Sequence, residues 1–123
     1  MNKLLLIVSL LIPLKCFAND KNCKAFMIYK EARGEPEIVQ KAVLDVMGNR
    51  MKLYKKSACE VLKMKGQYPY ARKGIKNMSN EWLTLVDKLG KLPHILNSDF
   101  LYFNSTKHRF KKKHKKIGNL YFC

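Results

Sequence analysis

Acidic residues are scarce in this chain. Nine Asp and Glu stand against 25 Lys and Arg in 123 residues, a formal charge of +16 at pH 7. Such a surface attracts polyanions. Histidine is sparse too: His94, His108 and His114 are the three, and no two form a helical His-x-x-x-His pair. The cysteines, Cys16, Cys23, Cys59 and Cys123, match no zinc spacing. A metallopeptidase or metal-dependent amidase therefore lacks a ligand set, and neither metal nor cofactor is expected. Internal repeats and low-complexity linkers are absent as well.

What is present begins with a leader. Lys3 supplies a positive n-region, and Leu4 to Ile12 is an apolar stretch of nine residues broken only by Ser9. Pro13 and Lys15 end it, and Cys16-Phe17-Ala18 offers small residues at the positions a signal peptidase reads. The stretch is short for a membrane span, which takes ~20 residues. The expectation is a signal peptide over 1–18, with an uncleaved anchor as the alternative, and one domain over 19–123. Lys15 and Pro13 fit lipidation at Cys16 poorly. Cleavage removes Lys3 and Lys15, so the charge of +16 becomes +14. The product is exported to the periplasm, the cell wall or the exterior, with no membrane span left in it.

Export exposes the three remaining cysteines to an oxidising compartment. One disulfide and one free thiol are expected. Cys23 and Cys59 are the preferred pair, because each opens a helix beside the cleft proposed below. Cys123 is the rival partner for either.

Hydrophobic periodicity predicts a small α+β domain, mostly α. Residues 22–33 read as a helix capped by Asn22, with Ala25, Ile28, Tyr29 and Ala32 on one face. Residues 37–52 carry a 3.6-period stripe of Ile38, Val39, Ala42, Val43, Val46 and Met47, with Pro36 in the first turn. A short helix covers 57–64, with Ser57 as its cap. Residues 66–77 read as loop. Ser79 caps a helix over 79–89 whose buried face is Trp82, Leu85, Val86 and Leu89, and Gly90 ends it. Segments 100–104 and 119–122 are short aromatic strands.

Glu31 stands at the end of the first helical pattern, before Gly34 and Pro36. A carboxyl there is half-buried at the mouth of a cleft. Burial disfavours its charged form, so it holds a proton near neutral pH. A protonated carboxyl beside a groove is what glycosidic cleavage needs first. By position alone, Glu31 reads more readily as an ordinary solvated helix glutamate, since most helix glutamates lie on the surface.

Five segments decide between those alternatives. Glu31-Ala32-Arg33-Gly34-Glu35-Pro36 resembles the opening motif of the SleB-like cell-wall hydrolases, germination-type lytic enzymes found in spore-formers, phages and other bacteria. Ala42 to Met51, ending in Gly48-Asn49-Arg50-Met51, resembles the family's second helix with its Asn-Arg signature. Ala58-Cys59-Glu60-Val61-Leu62 followed by Gln67-Tyr68-Pro69-Tyr70 is similar to its Cys-x-Val-Val and Gln-Phe-Ser-Trp region. Leu101-Tyr102-Phe103-Asn104-Ser105 resembles its aromatic-Asn-Pro element. Ile117-Gly118-Asn119-Leu120-Tyr121-Phe122 resembles its closing Ile-Gly-x-His-x-Phe. The chain departs from the pattern at Ser105 (Pro), Phe110 (Trp), Leu120 (His), Tyr68 (Phe) and Tyr70 (Trp).

The resemblance implies a lysozyme-like, lytic-transglycosylase-like fold with Glu31 as the catalytic acid. It implies an exported enzyme that cleaves peptidoglycan between N-acetylmuramic acid and N-acetylglucosamine. Gln67, Tyr70, Tyr102 and Asn104 are then candidate substrate-binding residues, since aromatic faces stack on sugars and amides satisfy acetamido groups. Tyr68 shares that candidacy with core packing. Arg33, Arg50 and Glu35 are supporting candidates, and each also has a structural use: ion pairs for the arginines, a helix N-terminus for Glu35.

Reaction type turns on a second carboxylate, which glycosidases place ~5–9 Å from the acid. Glu35, Glu37 and Asp45 are near in sequence but have structural uses, and Asp99 is distant. With one carboxylate, the 6-hydroxyl of muramic acid attacks its own anomeric carbon, which is lytic transglycosylation.

The run from Lys107 to Lys116 holds seven Lys and Arg. It reads either as a solvated loop or as an attractor for anionic envelope polymers. Nucleic acid would feel the same charge, but export and the absence of a nucleic-acid fold signature argue against it. A monomer acting on peptidoglycan is expected, in a size suited to a phage or accessory lysis role. The reading from another class is a non-enzymatic cationic protein that binds envelope or membrane on the same scaffold. A cell-wall amidase comes third.

Overall fold

The computed structural model describes residues 19–64, 66–105 and 114–123. The expected leader, Lys65 and positions 106–113 of the basic segment lie outside the described residues. The fold is α+β and mostly α, as expected. Helix α1 covers residues 19–32. It is followed by α2 (Glu37–Tyr54), α3 (Ala58–Leu62), a 3-10 segment (Pro69–Lys73) and α4 (Asn80–Gly90). Strands β1 (Phe103–Asn104), β2 (Lys115–Ile117) and β3 (Leu120–Phe122) form one antiparallel sheet in the order β1-β3-β2. No helix among the described residues is long and apolar enough to cross a membrane.

Helix α2 is the axis of the domain. Every residue from Val39 to Met47 is buried, so the helix is enclosed on all sides rather than along one stripe. Ile38, expected in the stripe, is 54% exposed because it precedes the enclosed stretch. Enclosure takes polar side chains in with the apolar ones, and each finds a partner. Gln40 Nε2 donates to Ala32 O at 3.2 Å, which helps close the end of α1. Lys41 Nζ lies 3.4 Å from Asp45 Oδ1, one helical turn on. Asp45 Oδ2 accepts the backbone N–H groups of Ile95 and Leu96 at 2.7 and 3.1 Å, and Oδ1 meets His94 Nδ1 at 2.8 Å. Asp45 thus fastens the segment after α4 to the central helix.

Helix α1 buries Cys23, Ala25, Phe26, Met27, Ile28 and Ala32. Asn22 does not cap it, since the helix already runs at residue 19. The Asn22 amide serves a tertiary contact instead: Nδ2 donates to Lys76 O at 3.0 Å and Oδ1 accepts from Met78 N at 2.8 Å. Those bonds hold the connection between the 3-10 segment and α4.

Ser57 caps α3 as expected, through a capping box with Glu60. Asp20 Oδ1 accepts the Ala58 N–H at 3.0 Å, and the Cys23–Cys59 disulfide joins α1 to α3. The bond spans 36 positions and leaves Cys123 as the free thiol among the described residues. A loop of that length contributes roughly 4 kcal/mol on the chain-entropy model.

The sheet is shorter at β1 than the sequence pattern implied, and it contains a strand the pattern missed. β2 begins in the basic run, where Lys115-Lys116-Ile117 offers no alternation to read. It pairs with β3 through a two-residue turn, Gly118-Asn119, with Ile117 opposite Leu120. Gly118 has φ +58°, and a Cβ there would strike Val39 Cγ2. Only glycine lets the hairpin tip rest on the start of α2.

Candidate active site

Glu31 occupies the last turn of α1, half-buried. Two depressions meet at its side chain. The first is a lobe of about 330 Å³ walled by Arg50 of α2, by Gln67 and Tyr68, and by Phe103, Asn104, Ser105 and Leu120 of the sheet. The second, about 770 Å³, lies between α1 and the segment from Pro69 to Lys76, with Phe26, Lys30, Tyr70 and Ile75 in its walls. Among the described residues, Glu31 is the one common to both linings and the one carboxylate in either.

Local structure explains why these groups converge. Helix α1 ends at Ala32, where the Glu35 N–H returns to Ala32 O at 3.1 Å, so Glu31 faces inward at a helix terminus. Asn49 and Arg50 draw the far wall to it. Asn49 Nδ2 donates to Asn97 O and Phe100 O at 2.8 and 2.9 Å, and Arg50 Nε donates to Leu101 O at 2.6 Å. The Asn-Arg pair thereby sets the course of the chain into β1. The disulfide holds α3, and with it the following Gln67-Tyr68 segment, against α1.

The Arg50 guanidinium lies among aromatic rings. Its carbon is 5.1 Å from the Tyr68 ring centroid, 5.3 Å from Tyr102 and 6.0 Å from Phe103. Cation–π attraction offsets part of its desolvation. The side chain is buried, and no carboxylate pairs with it at ion-pair distance among the described residues. Tyr68 and Tyr70 are edge-to-face at 6.1 Å, and Tyr70 meets Phe26 at 5.7 Å.

Burial pushes the Glu31 carboxyl above its ordinary value of 4.5. The Tyr70 hydroxyl and the Arg50 cation oppose that shift, the hydroxyl more strongly, and burial prevails. The Tyr68 phenol is pushed up to about 12, chiefly by burial, and Tyr70 higher still by burial and the neighbouring Glu31. Both phenols therefore remain neutral donors. Arg50 Nη1 and Gln67 Oε1 are buried beside the cleft without a hydrogen-bond partner among the described residues. The Tyr68 and Tyr70 hydroxyls make no close hydrogen bond either, but Tyr70 Oη lies beside the Glu31 carboxyl and Tyr68 Oη beside the Arg50 guanidinium, so each acts on its neighbour. Buried groups are ordinarily satisfied, so Arg50 Nη1 and Gln67 Oε1 stand out as side-chain atoms with unused hydrogen-bonding capacity.

The structure brings Glu31, Arg50, Gln67 and Asn104 together around the first lobe and Tyr70 into the second. Tyr102 is 46% exposed and stands at the rim, ring against Arg50. Arg33 is not gathered in. It points outward, its guanidinium 4.4 Å from the Tyr29 ring. Glu35 lies against the Gly118 turn. Glu37 pairs with Lys88 on the surface, Asp45 is committed to the segment after α4, and Asp99 is exposed. None of these carboxylates lines either lobe.

Several wall residues were not legible as such. Phe103 and Leu120 enter through strand pairing, Lys30 from α1, and Lys73 and Lys76 through the path of the chain after Tyr70. Leu120 and Phe122 are buried on either side of Tyr121, the alternation of a half-buried strand. His114, Lys115 and Lys116, the described part of the basic run, are exposed on the sheet, with Lys116 Nζ 5.6 Å from the Tyr121 ring. Among the described residues, no three His, Cys, Asp or Glu side chains gather where they could hold a metal ion.

Comparison with protein-family models, with curated proteins and with solved structures returns no match to this chain.

Proposed function

We propose that this protein is an exported peptidoglycan-degrading enzyme of lysozyme-like design. It cleaves the glycan strand between N-acetylmuramic acid and N-acetylglucosamine by lytic transglycosylation. The observation that carries this reading is Glu31: a carboxyl with a raised pKa, common to two lobes of one groove, with no other carboxylate in either wall. A groove that continues on both sides of an acid suits an internal bond of a polymer. The family motifs quoted above support the same assignment.

Glu31 gives its proton to the glycosidic oxygen, and the bond from that oxygen to the muramic acid C1 breaks. The 6-hydroxyl oxygen of the same muramic acid bonds to C1, and its proton passes to the Glu31 carboxylate. The acid is restored, and no water enters. Gln67 and Asn104 meet acetamido and hydroxyl groups, and Tyr70 and Tyr102 offer faces for sugar rings. The resulting cationic surface favours anionic envelope polymers.

The test is mass spectrometry of fragments released from purified sacculi in ¹⁸O-labelled water. 1,6-Anhydro ends without label are expected. Labelled reducing ends alone would replace transglycosylation with hydrolysis. No release at all would leave the non-enzymatic, envelope-binding reading.

A further inference from the structure

The first lobe contains a charge that the cleavage reaction does not require. Arg50 is 5% exposed, and its Nη1 has no partner among the described residues. Its Nε is engaged by Leu101 O, which fixes the plane of the guanidinium. The other charged group in the lining is Glu31, and burial favours its neutral form. With Glu31 protonated, the lobe holds one cation that no carboxylate among the described residues compensates.

A buried guanidinium is stabilised far more by an anion than by a neutral acceptor. Gln67 Oε1, in the same lining, also lacks a partner, and the Tyr68 hydroxyl lies beside the guanidinium without a close hydrogen bond. Gln67 Oε1 calls for a donor, and Tyr68 Oη can donate beside the cation. The set suits a group with one charged oxygen pair flanked by N–H or O–H, and the volume is on the scale of one N-acetylated sugar. An exposed lysine patch would select charge alone, whereas a fixed, buried guanidinium also selects planar shape.

We propose that Arg50, with Gln67 and Tyr68, forms a subsite for the carboxylate of a sugar acid. On the glycan-cleaving reading, that group is the free lactyl carboxylate of muramic acid. In peptide-bearing strands this carboxyl is tied up as a neutral amide. The preferred substrate is then a glycan strand already stripped of its peptides. The reaction class that supplies it is amide hydrolysis: water adds across the lactyl amide, the peptide leaves as an amine, and the carboxylate remains on the sugar. Binding also neutralises the cation that draws Glu31 toward its charged form, which helps Glu31 keep the proton it must donate.

The experiment uses the Glu31→Gln protein, so that no turnover occurs, and titration calorimetry with tetrasaccharides of alternating N-acetylglucosamine and muramic acid. Three forms are compared: free lactyl acid, lactyl methyl ester, and peptide-bearing. The free acid is expected to bind at least ~10-fold more tightly than the ester, a difference of about 1.4 kcal/mol. It should bind more tightly than the peptide-bearing form as well. Adding Arg50→Gln should bring the acid and ester within about twofold, and Arg50→Lys should retain part of the preference. Equal binding of acid and ester, or no binding of either, overturns the subsite. This comparison is made on one protein, so it stands even where an Arg50 variant fails to fold. Tight, Arg50-dependent binding of the peptide-bearing form overturns the lactyl assignment. Cleavage of sacculi without an acid preference removes the subsite and leaves the enzyme. An acid preference without cleavage removes the enzyme and leaves the subsite.

Discussion

Arg50 Cζ lies 5.1 Å from the centroid of the Tyr68 ring, and together the two side chains back the cleft beside Glu31. The pairing reconciles two requirements that oppose each other. On the proposed reaction Glu31 must remain neutral to act as an acid, and a nearby cation favours its charge. Burial is the larger effect, so the carboxyl stays above its ordinary range even with Arg50 present. The aromatic cage keeps the cation in place without a carboxylate partner, which would otherwise bring a second negative charge to the site.

Removing the acid should separate stability from activity. On the proposed reaction, Glu31→Gln should lose at least ~100-fold in the rate of glycan cleavage, the scale of a lost general acid. The folded-state pKa of Glu31 is raised, so the native protein binds this proton more tightly than the unfolded chain does. The associated stability is complete below 4.5 and is lost as pH rises through the raised value. Thermal unfolding at pH 7 should therefore show Glu31→Gln melting above wild type, with the gap narrowing toward pH 4. A variant that melts lower at pH 7 would mean that the carboxylate is stabilised where it lies.

Tyr70 provides a finer measure of the same balance. Its hydroxyl favours the Glu31 carboxylate, so Tyr70→Phe should raise the Glu31 pKa further. If protonated Glu31 is the active form, the alkaline limb of the pH–rate profile moves to higher pH in this variant. A limb that stays in place, or moves down, would indicate that another group governs it.

The sequence made the helices legible where local signals and tertiary roles agree. Ser57 and Glu60 form their capping box, and Val86 and Leu89 face the core as their spacing implied. It misled at Asn22, whose amide serves a segment more than fifty residues away. It was silent on β2, because Lys115 and Lys116 have no pattern until β3 pairs with them. At the site, the place of Glu31 at a helix end was legible, but position alone favoured a solvated carboxylate, and it was the Glu31-to-Pro36 motif that singled it out. The unpartnered state of Arg50 was not, because a single sequence does not say which cations find a carboxylate.

Gly118 combines a left-handed backbone with a close approach to Val39. Gly118→Ala therefore meets both strain at positive φ and a clash at the start of α2. A loss of about 1–3 kcal/mol is expected, readable as a lower midpoint in urea. Gly34 has open space around it and is not in the left-handed region. Gly34→Ala should accordingly change the midpoint little, and equal losses at the two sites would contradict this account of the hairpin.

Asp45 tests whether a second carboxylate takes part in the chemistry. It is nearly inaccessible and has four partners: Lys41, His94 and the N–H groups of Ile95 and Leu96. Asp45→Ala strands the buried Lys41 ammonium and two backbone donors, and losing a buried ion-pair partner costs about 3–5 kcal/mol. Lys41→Met is the milder change, because it leaves Asp45 with its other three partners, so chemical denaturation should rank Asp45→Ala well below Lys41→Met. Asp45→Asn keeps an oxygen for one backbone donor and should fall between them. Neither lobe of the cleft includes Asp45. At a temperature where the variant remains folded, as judged by circular dichroism, Asp45→Asn should then cleave glycan at close to the wild-type rate. A loss on the scale of Glu31→Gln in a folded Asp45→Asn protein would make Asp45 the missing second carboxylate and turn the proposed reaction from transglycosylation to hydrolysis.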